Sequence, residues 1–226
     1  MKLIKKIKIA IDSPAAAGAG TQAKLISKHY NLFYLDTGKM YRIIGKIYLE
    51  NNKKKNYKLF KKKILKIKAS DLSNKKLLAD KIGVAASVVA KDLKIRKIVN
   101  KFQKDFAYFP PKKYNGSCLD GRDITYNIIP DADVKFFMTA NVKVRSQRRF
   151  KELKKLNYKI SYKEVYKSIK NRDKNDLTRK ISPLKKTRDS FFIDTSYLTK
   201  KECFFKIKKI IDKKISKLSK NKKYNN

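Results

Sequence analysis

Two spacings of apolar residues alternate along the chain, one typical of strands and the other of helices. Residues 4–12 form a β-branched apolar run that ends in a Pro/Ala/Gly turn, as a buried parallel strand does. Residues 20–30 and 38–50 carry apolar positions at helical spacing, and a short apolar run at 32–36 lies between them. This strand–helix–strand–helix order predicts a βαβ unit at the start of the chain.

The same alternation continues to the end of the chain and predicts an α/β fold with a doubly wound, five-stranded parallel sheet. Further strands are predicted at 117–120, 134–139 and 190–194, and further helices at 76–90, 94–106, 141–156, 161–174 and 199–218. Asp12, Asp36, Asp120 and Asp194 each end a predicted strand. Ligands of such sheets bind beyond the carboxyl ends of the strands, so we expect the site in the loops after the first three.

One stretch, residues 51–73, is rich in Lys and Asn and is interpreted as an insertion. Its apolar stripe fits a short helix or a strand equally well, and it consists of Leu59, Phe60, Ile64, Leu65 and Ile67. We expect a single domain over residues 1–218, followed by a polar, frayed tail at 219–226.

Composition permits a real core and leaves the strong positive charge open to two interpretations. Hydrophobic residues make up 42% of the chain, and the formal net charge is +41. Such a charge favours nucleic-acid binding. The lysines are spread along the whole chain, however, and Ile, Asn and Tyr are also abundant, a bias that an AT-rich coding sequence produces by itself. We therefore do not expect nucleic-acid binding as the main function.

Cysteine usage and the first residues indicate where the protein resides. Cys118 and Cys203 lie far apart without a CxxC or His partner, which favours buried thiols in a reduced compartment. The single His29 is interpreted as a surface residue. The first apolar run is interrupted by charged residues, which excludes a signal peptide or a membrane span there. We expect a cytoplasmic protein without a membrane partner.

Arginine is rare in this chain, and its positions are informative. Nine arginines stand against 51 lysines, and only Arg188 lies outside the segments that resemble nucleotide-binding motifs. Arginine grips phosphate or a base edge through two parallel hydrogen bonds, which lysine does not do. The other eight arginines therefore mark positions where that geometry is needed.

The turn after the first strand has the length and context of a phosphate-binding loop, G-x-x-x-x-G-K-[ST]. It consists of Ser13, Pro14, Ala15, Ala16, Ala17, Gly18, Ala19, Gly20 and Thr21. The glycines would let backbone N–H groups face phosphate oxygens at a helix start, and Thr21 would place a hydroxyl on Mg²⁺. Ser13 and Ala19 replace the first Gly and the Lys of this pattern. Taken alone, the segment therefore fits an ordinary Ala/Gly turn as well as it fits a phosphate-binding loop.

Three further segments decide between these interpretations. They are Asp36-Thr37-Gly38-Lys39-Met40-Tyr41-Arg42, then Asp120-Gly121-Arg122-Asp123, then the run from Arg172 to Arg179 before Pro183-Leu184. In this order and spacing, the chain from about residue 7 to residue 211 resembles the bacterial cytidylate kinases, which phosphorylate CMP and dCMP. The likeness is weakest over residues 51–76.

The resemblance implies an architecture and a set of substrates. It implies a P-loop kinase core, a nucleoside monophosphate-binding insertion at about 51–90 and a lid at about 146–184; the core covers residues 1–50, 91–145 and 185–218. It also implies that ATP with Mg²⁺ donates a phosphoryl group to CMP or dCMP in pyrimidine metabolism, and that the protein is a monomer.

The resemblance also implies residue roles. The acceptor phosphate would be bound by Thr37, Tyr41, Arg42 and Arg122, and the cytosine by Ser87, Arg96, Asp123 and Arg179. The sugar would be bound by Arg172 and Asp176. The ATP phosphates would lie near a lid helix that carries Arg145, Arg148 and Arg149. Ser87 and Asp123 would accept from the cytosine amine, while the two arginines donate to its O2 and N3. Uracil would set a carbonyl oxygen against Asp123, a mismatch of buried acceptors.

Ala19 is the main departure from the family pattern. Loss of a charged group that follows the transferred phosphate costs about 3–4 kcal/mol of transition-state stabilisation. We expect compensation by Lys39 or a lid arginine, which makes Lys39 a candidate catalytic residue beside Arg42 and Arg122. The alternative is a nucleotide-binding protein with impaired catalysis. Leu78 and Asn175 are smaller departures, since the family often has Arg at these positions.

Two other classes of function remain as alternatives. A basic RNA-associated protein would bind RNA with a steep salt dependence and without mononucleotide selectivity. A related UMP or AMP kinase would differ in base preference. Each site residue also has a simple structural interpretation; Arg172 and Asp176, for example, suit an exposed ion pair four residues apart on a helix.

Overall fold

β-Branched residues place the first strand, β1, at the centre of the sheet. The computed structural model describes residues 6–67, 71–72 and 74–223, with side chains up to residue 217. β1 spans Ile7–Asp12, and Ile9 and Ile11 are fully buried, as side chains that suit a pleated strand covered on both faces. The predicted first residue of this strand, Ile4, lies outside the described residues.

The described strands form one parallel sheet of five, in the order β2–β3–β1–β4–β5. The other strands are β2 Phe33–Asp36, β3 Gly116–Gly121, β4 Val134–Thr139 and β5 Phe191–Asp194. Ile9 of β1 pairs with Cys118 on one side and with Val134 on the other. The chain first builds the sheet to one side of β1 and then crosses to the other, which leaves a crevice at the carboxyl ends. The predicted doubly wound parallel sheet is confirmed.

Helices connect the strands, and several begin at a side chain that caps them. Their bounds are α1 Ala19–Tyr30, α2 Thr37–Glu50, α3 Tyr57–Leu65, α4 Asp80–Val89, α5 Leu93–Tyr108, α6 Val142–Lys155, α7 Tyr162–Thr178 and α8 Lys200–Lys223. The Asp36 carboxylate accepts from the Lys39 backbone N–H at the start of α2. Ser161 and Glu164 form a reciprocal capping box at the start of α7.

Two apolar clusters cover the two faces of the sheet, and a third, small cluster lies between helices α6 and α7. Ile9 and Ile11 pack with residues of α1 and α8 on one face. Helices α2 to α5 cover the other face around a second cluster. Helices α6 and α7 pack together through Leu153, Val165 and Ile169. These two helices form a helical hairpin over the carboxyl ends of the strands, where the lid was predicted.

The structure corrects the helix predicted at 76–90. A 3₁₀ turn, Lys75–Leu78, comes first, and α4 begins only at Asp80. Ala79 between them is extended, with φ −53° and ψ 140°. The side chain of Arg42 accounts for the break, because it binds the backbone carbonyls of Leu77 (2.6 Å) and Ala79 (3.4 Å).

The insertion and the last helix also differ from the expectations. The ambiguous stretch contains a helix, α3, whose Phe60 and Ile64 are buried while Leu65 is exposed; residues 68–70 and 73 lie outside the described residues. The prediction of a frayed tail from residue 219 is wrong as far as Lys223, where α8 ends. Lysine favours helix, and no Gly or Pro interrupts this segment. Residues 224–226 lie outside the described residues.

Three single-residue expectations are confirmed. Cys118 and Cys203 are free and buried, and burial raises the pKa of the Cys203 thiol to about 11. His29 is exposed at the end of α1, edge-on to Phe204.

Candidate active site

A cleft of about 620 Å³ opens at the carboxyl ends of β1, β2 and β3. The loop at residues 13–21 forms one wall, and α4, the end of β3 and the helical hairpin α6–α7 form the others. Three sequence segments singled out above meet here, since Lys39, Arg122 and Arg179 all line the cleft. Nearly all of the predicted site residues lie around this one space.

The loop at residues 13–21 wraps around the end of β1 in a conformation typical of anion-binding loops. The Ser13 N–H donates to the Gly121 carbonyl at 3.1 Å, which ties the loop to β3. Ala16 (φ 60°) and Gly18 (φ 90°) both adopt the left-handed region. Glycine does so freely, whereas alanine pays about 1–2 kcal/mol. Helix α1 then starts at Ala19 without a side-chain cap, so its first N–H groups are available to a phosphate.

Ala19 leaves the start of α1 without a cation, and two lysines lie nearby. Ala19 itself is buried, with 4% of its surface exposed. The Lys39 ammonium lies in the cleft wall, 4.0 Å from the Asp36 carboxylate. Lys24, on the exposed side of α1, also lines the cleft. The structure therefore brings Lys39 to the cleft, as the sequence prediction requires, and adds Lys24.

A cluster of buried, charged side chains lines one end of the cleft. Arg96, 1% exposed, donates to the Asp123 carboxylate and, at 3.2 Å, to the Ala90 carbonyl. Asp123 also accepts from the Asn127 amide at 2.7 Å and lies 3.9 Å from Arg179. Ser87 lines the same space, with its hydroxyl on the Gly83 carbonyl at 3.3 Å. The four residues predicted to recognise a base are thus brought together.

Several donors of this cluster are unused. Arg96 Nε, Arg179 Nη2 and the Tyr41 hydroxyl are buried and have no hydrogen-bond partner among the described residues. Buried donors without partners destabilise a fold by about 1–3 kcal/mol each. Three unpaired donors therefore lie on residues that line this one cleft.

Arginines crowd the middle of the cleft. Burial, then Arg172 and Arg149, lowers the pKa of Arg42 to about 9. Burial, then Arg122, lowers the pKa of Arg172 to about 10. Because neighbouring cations add to the effect of burial, positive charge is in excess at this point. An anionic group such as phosphate would relieve that repulsion.

Asp176 is the main counter-charge within this group. It is buried, accepts from Arg122 Nε at 2.7 Å and lies 3.4 Å from Arg179 Nη1. It therefore connects helix α7 with the residue after β3. The exposed helical ion pair between Arg172 and Asp176, the simple structural interpretation, is absent among the described contacts.

The three arginines of α6 occupy different places. Arg148 and Arg149 line the cleft, whereas Arg145 does not belong to its described lining. Arg149 donates to Glu152 on its own helix and to the Leu78 carbonyl across the cleft. Arg145 is buried behind the loop and binds the Ala15 carbonyl. A direct contact of Arg145 with a phosphate in the cleft would require these bonds to break.

Two carboxyl groups at the strand ends, those of Asp120 and Asp12, have pKa values raised by burial. Burial, then the neighbouring Asp36, raises the pKa of Asp120 to about 8, and Asp120 accepts a hydrogen bond from Tyr34 at 2.8 Å. Burial raises the pKa of Asp12 to about 6. Asp12 accepts from the N–H groups of Ile124 (2.8 Å) and Thr125 (2.9 Å), and so anchors the turn beside Asp123.

Sequence reasoning missed several supporting residues of the site. Thr37 was predicted to contact phosphate, and its hydroxyl donates to the Asp120 carbonyl at 2.7 Å. Asn127, Glu152, Asp173 and Thr195 were not anticipated. Thr195 directly follows the acidic end of a predicted strand, which was the available signal. Asp173 lies inside the run from Arg172 to Arg179, and that motif was its available signal. Asn127 and Glu152 lie in a turn and on a helix, where no sequence pattern distinguishes them from surface residues.

The described part of the chain offers neither a cluster of metal ligands nor a membrane-spanning helix. Residues 6–67, 71–72 and 74–223 contain no group of three or more His, Cys, Asp or Glu side chains placed to hold a metal ion. Within these same ranges, none of the helices is long and apolar enough to cross a membrane.

Comparison with known proteins agrees with this geometry. A family model described as cytidylate kinase matches residues 9–213. Proteins named cytidylate kinase from Thermosipho melanesiensis, Bacillus licheniformis and Bartonella bacilliformis are 38%, 38% and 40% identical to this chain. The matches cover 92%, 94% and 90% of this chain, and 97%, 99% and 94% of the respective relatives.

A solved structure shares the fold at low sequence identity. It is titled as the crystal structure of an uncharacterized protein from Eubacterium ventriosum and is 18% identical, with a TM-score of 0.53. The match covers 91% of this chain and 98% of the other. At this identity the likeness concerns the fold alone.

The parallel sheet, the loop after β1 and the arginine-lined cleft define an α/β kinase with a P-loop fold. The family model and the relatives extend over almost the whole chain. The chain belongs to the cytidylate kinase family.

Proposed function

We propose that this protein transfers the γ-phosphoryl group of ATP to CMP or dCMP and produces ADP with CDP or dCDP. Family membership supports the reaction class. The single observation that carries the proposal for this chain is the buried cluster of Ser87, Arg96, Asp123 and Arg179 with its unused donors. We further propose that the enzyme acts as a cytoplasmic monomer, in keeping with its free, buried thiols.

The charge cluster suits cytosine better than uracil. Asp123 and Ser87 offer acceptors to an exocyclic amine, and Arg179 Nη2 and Arg96 Nε are free to donate to a ring nitrogen or carbonyl. Uracil carries an oxygen where cytosine carries its amine, so it would face the Asp123 carboxylate with a second acceptor. A site built to bind a polar group discriminates strongly against a partner that leaves its groups unpaired.

The arginine group suits an acceptor phosphate and its sugar. Burial first, and then cationic neighbours, lower the pKa values of Arg42 and Arg172, and a phosphate between them would relieve the repulsion. Tyr41 lines the same cleft, and its hydroxyl has no hydrogen-bond partner among the described residues. Asp176, held by Arg122, supplies an acceptor for a sugar hydroxyl.

The loop and the α6 arginines suit the donor phosphates. Uncapped N–H groups at the start of α1 would hold the phosphates, and Arg148 and Arg149 would neutralise charge from the opposite wall. Thr21 is exposed at the helix start, and Asp120 Oδ2 lies 3.5 Å from the position of a Cβ added at Gly20. These oxygen groups fit Mg²⁺, which when bound would neutralise phosphate charge.

The protein itself contributes position and charge to the transfer. Little covalent chemistry is required, because the acceptor phosphate is already an anion at neutral pH. Arg42 and Arg122 would stabilise negative charge spread over the transferred group, and Lys39 would act in place of the lysine absent at position 19. The helical hairpin α6–α7 would exclude water from the reacting phosphates.

Product analysis tests this proposal. The protein is incubated with ATP, Mg²⁺ and CMP, and nucleotides are separated by chromatography, with UMP and AMP as controls. We expect CDP and ADP in equal amounts from CMP, and far less product from UMP or AMP. Equal conversion of CMP and UMP would contradict the role given to Asp123.

A nucleotide-binding protein without turnover is the second candidate, and Ala19 is the observation that favours it. Such a protein would show thermal stabilisation by CMP and no product. The same experiment separates the two functions.

A further inference from the structure

Ala16, in the loop at residues 13–21, has a backbone conformation that alanine rarely adopts. Its φ of 60° lies in the left-handed region, where an alanine is strained and a glycine is not. Strain of this kind persists only where the surroundings determine the conformation. Contacts from outside the loop must therefore hold the backbone before and after Ala16.

The first contact holds the carbonyl before Ala16. Arg145 Nη1 donates to the Ala15 carbonyl at 3.1 Å. The same guanidinium donates through Nε to the Ala140 carbonyl at 2.8 Å and binds both oxygens of Asp173 at 3.0 and 2.6 Å. Arg145 is 6% exposed, so it fixes the Ala15 carbonyl to the end of β4 and to α7 in a buried position.

The second contact holds the carbonyl of Ala17, which lies in the peptide group one residue beyond Ala16. The Thr195 hydroxyl donates to the Ala17 carbonyl at 2.9 Å. Arg148 donates to that hydroxyl oxygen at 2.9 Å and to the Thr195 carbonyl at 2.6 Å. Because the hydroxyl oxygen accepts from Arg148, its own proton is directed to Ala17. Thr195 is buried, and its N–H donates to the Thr139 carbonyl at 2.8 Å, which fixes it to the end of β4.

Together the two contacts determine which groups of the loop a phosphate meets. The carbonyl of Ala15, directly before the turn, and the carbonyl of Ala17, one residue beyond it, are both bound to the protein body. A carbonyl turned towards a phosphate would repel it, whereas a backbone N–H attracts it. Holding the carbonyls back therefore favours the anion-binding form of the loop.

We infer that Arg145 and Thr195 are positioning residues that hold the Ala16 turn in its left-handed, phosphate-binding conformation. External hydrogen bonds thereby replace the backbone freedom that glycine would provide. The inference rests on the proposed function in one respect, namely that this loop binds the phosphates of ATP. Neither residue touches substrate in this account; both act through the loop.

Thr195→Val tests the inference, because valine keeps the shape and removes the hydroxyl. We expect a rise of about tenfold in the KM and the Kd for ATP, the scale of one lost hydrogen bond, with the KM for CMP changed less than about twofold. Thr195→Ser should retain the wild-type values. Ser196→Ala is the matched control, since that hydroxyl binds Asp194 and Asn141 and not the loop.

A second substitution distinguishes positioning from general damage. Glycine at position 16 needs no external support, so Ala16→Gly in the Thr195→Val background should restore ATP binding to within about twofold of wild type. If displacement of Arg148 caused the loss, Ala16→Gly would not rescue it. Unchanged ATP binding in Thr195→Val, or a loss that Ala16→Gly leaves in place, overturns the inference.

Calorimetric titration with ATP alone separates this inference from the proposed function. If CMP is not phosphorylated while ATP binding shows the loss and the rescue, the proposed function falls and the inference stands. If CMP is phosphorylated while Thr195→Val leaves ATP binding unchanged, the inference falls and the proposed function stands. A wild-type protein that binds no ATP would overturn both. Unfolding temperatures of all variants identify any that fail to fold, and Arg145→Lys with and without Ala16→Gly then repeats the test.

Discussion

Arginine carries most of the positive charge inside the cleft, and several of these arginines already bind a protein acceptor. Arg96 binds Asp123, Arg122 binds Asp176, and Arg42 binds the Leu77 carbonyl. These contacts hold the planar guanidinium groups in fixed orientations before any nucleotide arrives. Preorganised charge of this kind is the main resource of an enzyme that transfers phosphoryl groups.

Lys39 is the residue on which turnover depends if it replaces the missing lysine. Lys39→Ala should then lower kcat by about 100- to 1000-fold, the scale of a lost electrostatic group, and Ala19→Lys in that background should restore it. Steady-state kinetics with ATP and CMP measure both effects. Lys24→Ala is the matched control on the neighbouring helix; a larger loss in Lys24→Ala than in Lys39→Ala would show that the wrong lysine was assigned.

Asp120 gives stability a defined pH dependence. Its pKa is about 8 in the fold against 3.8 as the ordinary value, so the folded protein holds the proton more tightly. The contribution to the unfolding free energy is therefore complete below about pH 4 and is lost as the pH rises through 8. Asp120→Asn cannot ionise and lacks this trend.

Urea unfolding without nucleotide at pH 5, 6, 7 and 8 measures this effect. The stability of wild type minus that of Asp120→Asn should decrease with each step. A difference that stays constant or increases with pH would show that Asp120 is ionised in the folded protein. The comparison between the two proteins cancels the contribution of Asp12, whose pKa is also raised.

At the scale of elements, helices α2 and α4 approach each other closely enough to require a glycine. A Cβ added at Gly45 would lie 2.7 Å from the Ala86 nitrogen. Backbone atoms cannot give way as a flexible side chain does, so an alanine there would push α4 outwards. Ser87, the next residue on α4, lines the base end of the cleft.

Gly45→Ala should therefore affect stability and acceptor binding together. We expect a loss of about 1–3 kcal/mol in unfolding free energy from overpacking, and a higher KM for CMP than for wild type. Lys46→Ala, at the partly exposed next position of the same helix, should leave both nearly unchanged. A Gly45→Ala protein with wild-type stability would mean that the helices separate more easily than their packing indicates.

Elements with a strong local pattern were predictable from sequence, and those set by distant contacts were not. The buried strands were predicted because an apolar, β-branched run that alternates with helical segments is typical of a buried parallel strand. The break at Ala79 was missed because Arg42, thirty-seven residues away, takes the carbonyls of the turn. The position of Arg145 behind the loop was missed because a motif gives the residue and not the direction of its side chain.

At the scale of the whole molecule, the net charge of +41 opposes compactness. Like charges repel more strongly in the folded than in the expanded state, and salt screens that repulsion over about 8 Å at physiological ionic strength. We expect the unfolding temperature to rise between low salt and about 0.15 M NaCl, as measured by circular dichroism. A fall in unfolding temperature over this range would mean that ion pairs outweigh the repulsion.

The most direct test of the account is the rate of CMP-dependent ADP release by the wild-type protein with ATP and Mg²⁺. The account predicts turnover at an ordinary kinase rate, about 1–100 s⁻¹, which would show that the site functions with alanine at position 19. Tight, selective CMP binding without ADP release would contradict it. The cleft would then be a nucleotide-binding site, and Ala19 would mark the loss of catalysis.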